Sequence, residues 1–572
     1  MAKRKINFVF LFTLIIFAAS VIPVFAQAQR ELQKTEQIEP NIEKEQALIN
    51  KIEKKKPETD IEEQLPSVPT APASEEKVMV KNITVTGITL ITEAEANNIV
   101  NPFKNKEMNV RDMQQAAGLV TDAYRKKGFI TSRAYIPPQK IEQGLLEIRV
   151  VEGVTGNIEV KGNRFYKTTL IRNKIDLVKG EPFNYNTLRQ GLSAINQQPD
   201  RHAKAVITPG KEAGTTDTIL NVEDHFPIHA GFTYDNFGSR YVKKDRYKLT
   251  LKDNNLLGWD DILTTEWQKS EKEYYSFLSF RYLLPLMEGL KVGLYANKSR
   301  LTLGREYTDL NVRGKSKLYS FYLIKSLMDT DNLDINLNAG FDYKDIYNFQ
   351  LDEMQSRDRE RIAKLGFDAD MTDKFGRTLL TYEIDCGIPN IMGGMKSHDE
   401  YASRDGSGGE FIKNIWNILR LQRLPFESTL LAKAQIQHTS YILTAAEQFQ
   451  IGGIANVRGY PAAELVGDNG YAMTYEWSCP IYPLSKKIII PFSKEKVYDR
   501  LRFVTFWDWA NVVSRRTQPG ERTTNTRSGV GFGIRFNLPQ RLTFRVEAAW
   551  PLNAKPSDNS NCHVWNEVSV NF

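Results

Sequence analysis

The sequence contains little cysteine and little histidine. Three cysteines, Cys386, Cys479 and Cys562, lie far apart in 572 residues and form no C-x-x-C pair, and the six histidines are scattered. This spacing indicates neither a disulfide framework nor a zinc site. The motifs G-x-S-x-G and H-E-x-x-H, which mark a nucleophilic serine and a zinc protease, are absent as well. We therefore expect no metal, no cofactor and no enzymatic activity.

A charge of one sign is also lacking. The chain has 76 basic and 69 acidic side chains, which leaves a formal net charge of +7, and the two signs are interleaved along the sequence. Proteins that bind nucleic acid usually gather their basic residues in one patch or stripe. The charge pattern therefore predicts no nucleic acid partner.

Only one long apolar run is present, and it lies at the N terminus. A basic segment precedes it, and the small residues Val24 and Ala26 at its end suit a signal peptidase. We interpret residues 1–26 as a signal peptide cleaved between Ala26 and Gln27. A membrane helix is the alternative, but the run ends at Pro23 with a cleavage site and has no stop-transfer sequence. No later stretch approaches the ~18 apolar residues that a membrane-spanning helix needs.

Two polar segments follow the signal peptide. Residues 27–56 have sparse apolar positions at helical spacing, which predicts one polar helix; these positions are Ile38, Ile42, Leu48, Ile49 and Ile52. Residues 57–77 are rich in proline and in small and charged residues, a composition typical of an extended linker. The sequence thus predicts a helix on a long tether.

An internal repeat spans residues 78–225. The segment Ile83–Gly87 (ITVTG) is echoed by Ile158–Gly162 (IEVKG), and each alternates like a short strand that ends at a glycine. In both copies a helical pattern and two more short strands follow. We therefore predict two small α+β domains with the order β-α-α-β-β, residues 78–152 and residues 153–225.

Apolar and polar residues alternate from about residue 226 to the C terminus. In residues 333–344, for example, the large apolar side chains all fall on one phase and the charged and amide side chains on the other. A soluble sandwich also alternates, but the signal peptide and the length of the pattern favour a transmembrane β-barrel. In hydrocarbon a closed sheet pairs every backbone amide. At about ten residues per strand, residues 226–572 suit ~14 to 18 antiparallel strands.

Several motifs resemble those of one family, the two-partner secretion transporters (TpsB), within the wider superfamily of outer-membrane barrels with polypeptide-transport-associated (POTRA) domains. The resemblance covers essentially the whole mature chain. The motifs that carry it are Val457-Arg458-Gly459-Tyr460, Phe506-Trp507-Asp508-Trp509-Ala510, Ile195-Asn196 with Pro209-Gly210, Tyr135-Ile136-Pro137-Pro138-Gln139, and the terminal Phe572.

The resemblance implies both an architecture and a function. The expected architecture is a 16-stranded barrel in the bacterial outer membrane, two POTRA domains in the periplasm, and an N-terminal helix that plugs the pore. The tetrapeptide Val457, Arg458, Gly459 and Tyr460 is expected at the tip of a loop folded back inside the barrel. The implied function is the export, without ATP, of one large TpsA-type partner such as an adhesin, a cytolysin or a toxin. Outer-membrane lipid and the barrel assembly machinery are further implied partners, with Phe572 as the C-terminal signal.

One pair of residues can be argued on physical grounds. An arginine inside a barrel lumen is partly desolvated and needs an acidic partner. Asp508 lies on the inward phase of its strand, because Trp507 and its phase neighbours are apolar. We therefore expect Arg458 to pair with Asp508, and the family motif implies Phe506 as a second partner in the barrel wall. The family usually has glycine at the position of Ala510. The methyl group of alanine puts in question whether the loop approaches the barrel wall closely at that point.

Substrate binding and two other functions stay open at this point. Leu188, Leu192 and Ile195 share one helical face of the second repeat. They are candidates for the floor of a groove in which an unfolded partner adds a strand to the sheet, or else they are core contacts of that helix. An assembly factor that inserts other barrels and a passive channel would have the same barrel. The short array of two repeats argues against the first, and the repeats and the tether argue against the second.

Overall fold

The computed structural model describes residues 27–53, 60–64, 76–330, 332–482, 486–491, 493, 495–517, 522–539 and 541–572. The predicted signal peptide, residues 1–26, and most of the predicted linker lie outside the described residues. The chain divides into two compact units. One unit contains the N-terminal helices with Ile228–Asp253 and Asp261–Phe572, and the other contains Lys56–Pro227 and Asn254–Asp260.

The first unit is a closed barrel of sixteen antiparallel strands. Each strand pairs with its neighbours in the chain, and the first strand pairs with the last, with Phe232 opposite Val570. The predicted fold class and the strand number that the family resemblance implied are therefore confirmed. In barrel order the strands are Ile228–Asp235, Arg246–Asp253, Ile262–Ser270, Tyr275–Met287, Leu290–Thr302, Arg313–Asp329, Leu333–Gln350, Glu353–Asp373, Gly376–Gly387, Phe411–Arg423, Thr429–Thr439, Asn469–Pro480, Leu501–Val513, Thr524–Leu538, Leu542–Pro551 and His563–Asn571.

Side chains alternate between the two faces of the barrel wall. In the twelfth strand, Asn469–Pro480, Tyr471, Met473, Tyr475 and Trp477 are exposed, while the residues between them are buried. The exposed phase is apolar and aromatic, and the buried phase carries the polar side chains. This is the pattern of a wall with lipid on the outside and a polar lumen on the inside.

Short helices and strands precede the barrel strands in the chain or connect them. Among the described residues, no helix is both long enough and apolar enough to cross a membrane. Helical residues 27–36 and the helix Ile38–Glu53 precede the barrel domain in the chain. The remaining elements are the 3-10 turns Glu271–Glu273, Arg305–Leu310 and Ala445–Glu447, the strands Phe449–Ile451 and Leu465–Gly467, and the helix Val497–Arg500.

The second unit contains the two repeats, and both have the predicted order of elements. The first repeat comprises Asn82–Thr86, Glu93–Val100, Val110–Lys126, Arg133–Tyr135 and Leu145–Val151, and adds a small ribbon, Val78–Val80 with Lys106–Met108, and a 3-10 turn, Asn101–Phe103. The second repeat comprises Val154–Lys161, Thr168–Arg172, Tyr185–Asn196, Arg201–Pro209 and Thr215–Asp224. The ribbon was not predicted from the sequence.

The long helix of each repeat forms because its sequence caps one end and buries one face. Asn109 and Asp112 form a capping box at the start of Val110–Lys126. At the start of Tyr185–Asn196, the Asn184 side chain accepts hydrogen bonds from the backbone N–H groups of Asn186 and Thr187. In both helices the apolar residues at helical spacing are the ones that are buried.

Part of the predicted linker is a strand. Residues Asp60–Glu63 pair in parallel with Arg201–Pro209, with Asp60 opposite Lys204. The Lys204 ammonium group lies 2.7 Å from the Asp60 carboxylate, and its hydrogen bond lowers the pKa of that carboxyl. One edge of the sheet in the second repeat is thus occupied by the chain's own linker.

The two glycines of the internal repeat occupy equivalent positions. Gly87 has a φ of +76° and Gly162 a φ of +90°. A Cβ on Gly87 would lie 2.4 Å from the carbonyl oxygen of Val150, and a Cβ on Gly162 would lie 2.4 Å from that of Val222. The neighbouring strand therefore approaches too closely for any side chain, which explains why glycine ends the strand in both copies.

We expect Gly162→Ala to destabilise the second repeat by about 1–3 kcal/mol or more, because alanine adds a clash with Val222 to the strain of a positive φ. Gly180→Ala is the matched control, since Gly180 has a φ of +86° but nothing lies within 4 Å of its Cβ position. Hydrogen exchange of the amides in residues 154–224 measures the difference. Equal loss of protection in the two variants would contradict the clash.

Candidate functional site

One loop of the barrel, residues 440–468, lies between the eleventh and twelfth strands. Phe449–Ile451 and Leu465–Gly467 pair as a short antiparallel hairpin within it. The tetrapeptide that the sequence analysis selected, Val457 to Tyr460, lies at the tip of this hairpin. The loop therefore contains a regular hairpin with the tetrapeptide in its turn.

Asn456 fixes the conformation of the tip. Its Oδ1 accepts hydrogen bonds from the backbone N–H groups of Gly452, at 2.8 Å, and Val457, at 2.9 Å. Its Nδ2 donates to the carbonyl oxygen of Gln450 at 2.9 Å. All three partners belong to the loop, so the Asn456 side chain stabilises the turn from within the loop itself.

Arg458 anchors the tip to the barrel wall. Its Nε and Nη2 each donate to the Asp508 carboxylate at 2.9 Å. Its Nη1 donates to Glu476 at 2.8 Å and to Glu547 at 3.1 Å. The three acidic partners lie on the thirteenth, twelfth and fifteenth strands, and all are buried. The tip of the 440–468 loop therefore lies inside the barrel.

Two aromatic side chains complete the arginine site. The Arg458 guanidinium carbon lies 3.2 Å from the centre of the Phe506 ring, which permits a cation–π interaction worth about 0.5–2 kcal/mol. Trp565 Nε1 donates to the carbonyl oxygen of Arg458 at 2.8 Å. The guanidinium is thus held by ionic bonds around its rim and by an aromatic ring against its face.

A second arginine balances the carboxylates. Arg535 donates to Glu476 at 2.6 and 2.8 Å and also to Glu547 at 2.7 Å. Arg458 and Arg535 therefore share two glutamates, whereas the Asp508 carboxylate accepts hydrogen bonds from Arg458. The two guanidinium groups thus stabilise the buried glutamate carboxylates in their charged form. Loss of one partner of a buried ion pair typically costs about 3–5 kcal/mol, because the other charge is left buried without a counter-ion.

The rest of the tetrapeptide packs against the wall. Val457 and Tyr460 are fully buried and belong to the same apolar cluster as Ala510 of the wall. The loop therefore approaches the wall closely at Ala510, although the family usually has glycine there. A Cβ on Gly459 would lie 2.8 Å from the carbonyl oxygen of Trp550, so only glycine fits at that position.

The helix Ile38–Glu53 fills the lumen beside the loop. Its Glu39 accepts hydrogen bonds from Arg246, at 2.5 Å, and Gln268, at 2.9 Å, on the second and third strands. Its Glu45 forms an ion pair with Lys433 on the eleventh strand. The third and eleventh strands lie half the circumference of a sixteen-stranded barrel apart. The helix therefore bridges opposite sides of the wall.

The helix also contacts the loop directly. Asn41 Nδ2 donates to Gln450 Oε1 at 3.0 Å, and Gln450 Nε2 donates to the carbonyl oxygen of Lys34 at 2.8 Å. Ile38 and Ile42 pack in one apolar cluster with loop and wall residues, namely Ile454, Ala462, Ala463, Phe237 and Trp565. Departure of the helix would therefore remove packing from the loop.

The other predicted site residues lie elsewhere. Leu188, Leu192 and Ile195 are fully buried in the core of the second repeat, so they do not form the floor of an open groove. Their helical spacing fits a core face equally well, which is why the sequence did not distinguish the two. Phe572 is 80% exposed, and its backbone N–H donates to the carbonyl oxygen of Ala230 at 2.8 Å. Ala26 lies outside the described residues, and Gln27 is the first described residue, in a helix.

The sequence analysis missed Glu476, Glu547 and Arg535. Each occupies the polar phase of an alternating strand, and that phase was available from the sequence. What the sequence did not reveal is which of many inward-facing charges the loop tip reaches. Within the described part of the chain, no group of three or more His, Cys, Asp or Glu side chains is arranged to hold a metal ion.

Comparison with known families gives two matches. The family described as haemolysin secretion/activation protein ShlB/FhaC/HecB matches residues 214–496. The family described as POTRA domain, ShlB-type, matches residues 78–153. The two matches cover the first repeat, the junction with the barrel and most of the barrel.

Individual proteins are similar over most of their length. The heme/hemopexin transporter protein HuxB of Haemophilus influenzae strain 86-028NP is 22% identical over 484 residues, which is 82% of each chain. The outer membrane transporter CdiB of Escherichia coli O6:K15:H31 (strain 536 / UPEC) is 24% identical over 420 residues, 71% of this chain and 69% of that protein.

Two solved structures have the same fold. CdiB from Escherichia coli superposes with a TM-score of 0.75 at 20% identity and covers 96% of this chain and 99% of its own. CdiB from Acinetobacter baumannii superposes with a TM-score of 0.67 at 18% identity and covers 94% of this chain and 99% of its own. At this level of identity the structures establish the architecture.

We expect Arg458→Ala to lower the thermal stability of the barrel markedly, because three carboxylates lose a cation that is worth about 3–5 kcal/mol in such a pair. Arg458→Lys should be intermediate, because an ammonium group cannot bond three carboxylates and stack on Phe506 at once. The temperature at which the purified protein loses its compact migration in SDS gels measures the effect.

Arg516→Ala is the control for that experiment. Arg516 pairs with Asp405, but their side chains are 53% and 74% exposed, so the pair should contribute about 0–1 kcal/mol. If Arg458→Ala unfolds at the same temperature as Arg516→Ala, the arginine site does not anchor the loop.

Proposed function

Because the chain belongs to the ShlB/FhaC/HecB family of haemolysin secretion/activation proteins, we propose that it exports one large secreted partner protein through its own barrel. The family comprises two-partner secretion transporters of the outer membrane, with POTRA domains in the periplasm. These transporters and this fold point to a non-enzymatic role. The partner of this chain is proposed to be a TpsA-type adhesin, cytolysin or toxin that crosses the barrel unfolded.

The observation that carries the proposal is a wide barrel whose lumen holds a helix and a loop. A barrel of sixteen strands is wide enough for an aqueous channel. Here the helix Ile38–Glu53 and the 440–468 loop occupy that space. A permanent plug would need no linker, whereas residues 54–59 join this helix to the linker strand Asp60–Glu63, which pairs with the second repeat. The helix can therefore leave the lumen without unfolding the barrel.

The contacts of the helix suit a reversible plug. Glu39, Glu45 and Lys51 bind charged partners on the wall. The residues of the helix that pack in apolar clusters are Ile38, Ile42, Leu48 and Ile52. Charged side chains are readily hydrated once the helix leaves, so its departure exposes little apolar surface. An apolar plug would pay a larger penalty of about 25 cal/mol per Å² of exposed surface.

The repeats are proposed to receive the partner by strand addition. In the second repeat one sheet edge is taken by the linker strand Asp60–Glu63. At the other edge, Val154–Lys161 pairs with Thr215–Asp224, and a bridge from Val154 to Pro182 covers only the start of its outer side, so within the described residues Ile158–Lys161 has no second strand beside it. Main-chain hydrogen bonds to such an edge bind an unfolded chain without demanding a particular sequence.

The driving force is proposed to be folding of the partner outside the cell, without ATP. A chain that folds after it has passed the barrel cannot return, so folding free energy biases the direction of transport. The exposed Phe572 at the barrel seam is proposed to guide insertion by the barrel assembly machinery, and the apolar outer phase of the strands to contact outer-membrane lipid.

Deletion of residues 27–53 should raise the single-channel conductance of the protein in planar bilayers, because the helix no longer fills the lumen. The double substitution Glu39→Gln and Glu45→Gln keeps the helix but weakens its ionic contacts with the wall. The channel of this variant should stay open longer than that of the parent protein, and its open-state conductance should equal that of the deletion variant. Unchanged conductance after the deletion would exclude the helix as a plug.

Tethering the helix to the wall should stop export. In a variant with alanine at Cys386, Cys479 and Cys562, Glu45→Cys and Lys433→Cys are joined by a short bismaleimide, and appearance of a co-expressed partner in the medium is measured. The same reagent applied to Asp405→Cys and Arg516→Cys, an exposed pair, is the control and should leave export intact. Normal export with the helix tethered would show that the partner does not pass through the lumen.

A further inference from the structure

We propose that three segments of the second unit form an amphipathic platform that binds phospholipid of the periplasmic leaflet of the outer membrane. The lipid platform is defined as residues 163–167, Phe226 and the turn 254–260. It would hold the second repeat against the membrane, and it does not depend on the proposed export of a partner.

The connectivity of the chain places the lipid platform beside the membrane. Phe226 lies two residues before the first barrel strand, Ile228–Asp235. The turn 254–260 joins the second strand, which ends at Asp253, to the third, which begins at Ile262. Because the POTRA domains of this family are periplasmic, the chain enters the barrel from the periplasm. Both segments therefore lie at the periplasmic boundary of the bilayer.

Large apolar side chains are exposed on all three segments. Trp259 is 58% exposed and Phe226 is 57% exposed. Phe165 contacts Phe226 edge to face, with 5.8 Å between ring centres. The other exposed apolar residues of the platform are Leu256 and Leu257. Five such side chains in one small region form an apolar patch of the kind that marks an interaction surface.

The segment 163–167 is held rigidly by one carboxylate. Asp224 accepts hydrogen bonds from the backbone N–H groups of Arg164, Phe165 and Tyr166 at 2.9 to 3.0 Å. The Phe165 side chain therefore stays exposed because the backbone is fixed, and it does not turn inward to the core. Tyr166, the next residue, is buried in that core.

The turn 254–260 is fastened just as firmly. Asp260 forms a bidentate ion pair with Arg201 at 2.7 and 2.8 Å, and both side chains are buried. Gln198 Nε2 donates to the carbonyl oxygen of Asp260 at 2.8 Å, and Asn254 donates its backbone N–H to the carbonyl oxygen of Pro227 at 2.9 Å. A turn fixed at both ends presents its leucines and tryptophan in one orientation.

Basic side chains border the apolar patch. The Arg164 guanidinium lies 5.2 Å from the centre of the Phe165 ring, and Arg164 and Lys167 are exposed. A Cβ on Gly258 would lie 3.4 Å from Lys167 Nζ, so Lys167 reaches the turn. Arginine and lysine beside tryptophan and phenylalanine match the phosphate and glycerol layers of a phospholipid, in that order.

The lipid occupant follows from continuity with the barrel. The outer phase of the strands that flank the turn is apolar, and the exposed Leu256 and Leu257 follow the end of the second strand closely in the chain. Tryptophan is enriched at membrane boundaries because its ring is apolar and its N–H is polar. A soluble partner would not explain why the patch lies within a few residues of two membrane strands.

The test uses the full chain in lipid nanodiscs, with alanine at Cys386, Cys479 and Cys562. A nitrobenzoxadiazole fluorophore is attached at Leu257→Cys, and quenching by a phospholipid with a nitroxide on its acyl chain is compared with quenching by aqueous iodide. The control label is at Glu212→Cys, in the exposed turn between Arg201–Pro209 and Thr215–Asp224, at the opposite end of that sheet from Asp224.

The label at position 257 should lose most of its fluorescence to the lipid nitroxide and little to iodide, and the label at position 212 should show the reverse. Two results would overturn the proposal: iodide quenching at position 257 equal to that at position 212, or resistance of position 257 to both quenchers, which would mean burial in protein. Compact migration of each labelled protein in SDS gels shows that its barrel is folded.

The basic border is tested separately. Adding phosphatidylglycerol to phosphatidylcholine nanodiscs should increase lipid quenching at position 257, and Arg164→Gln with Lys167→Gln should abolish that increase. The paired control Lys161→Gln with Lys211→Gln removes the same charge outside the lipid platform and should retain the increase. No effect of phosphatidylglycerol on the parent protein would contradict a phosphate-binding role.

Discussion

The buried guanidinium of Arg458 is the interaction on which the interior of the barrel depends. Taking a cation out of water is expensive, and here Asp508, Glu476 and Glu547 offset that penalty from three strands of the wall. Because the arginine is at the tip of the 440–468 loop, its ion pairs hold the loop inside the lumen. The loop in turn offers the surface against which the N-terminal helix packs.

The two elements inside the lumen are held in different ways. The loop is covalently part of the barrel at both ends and is held by a compact cluster of charges and aromatic rings. The helix precedes the barrel strands in the chain and is held by separate ionic contacts spread around the wall, such as Glu39 with Arg246 and Glu45 with Lys433. Removing the helix breaks these contacts one at a time, whereas removing the loop requires Arg458 to leave its whole cluster. The proposed export therefore requires the helix to leave the lumen, and the cluster around Arg458 can keep the loop in place.

Much of this architecture was predictable, because side chains repeat with a period that the backbone dictates. Alternation predicted the barrel, and the glycines at 87 and 162 predicted two copies of one fold. The pairing of Arg458 with Asp508 was also expected, because the inward phase of a strand can be read from its apolar neighbours. The roles of Glu476 and Glu547 were not predicted, since phase does not reveal which inward charge meets the loop. The strand Asp60–Glu63 was missed because it is short and three of its four side chains are acidic, so the sequence shows no apolar alternation there.

A density map of the full chain in lipid nanodiscs, obtained by electron cryomicroscopy at side-chain resolution, tests this account most directly. The account predicts the Arg458 guanidinium within hydrogen-bond distance of Asp508 and stacked on Phe506, with the helix Ile38–Glu53 beside it. Density for the 440–468 loop outside the barrel, with Arg458 in solvent and the three carboxylates facing an open lumen, would contradict it.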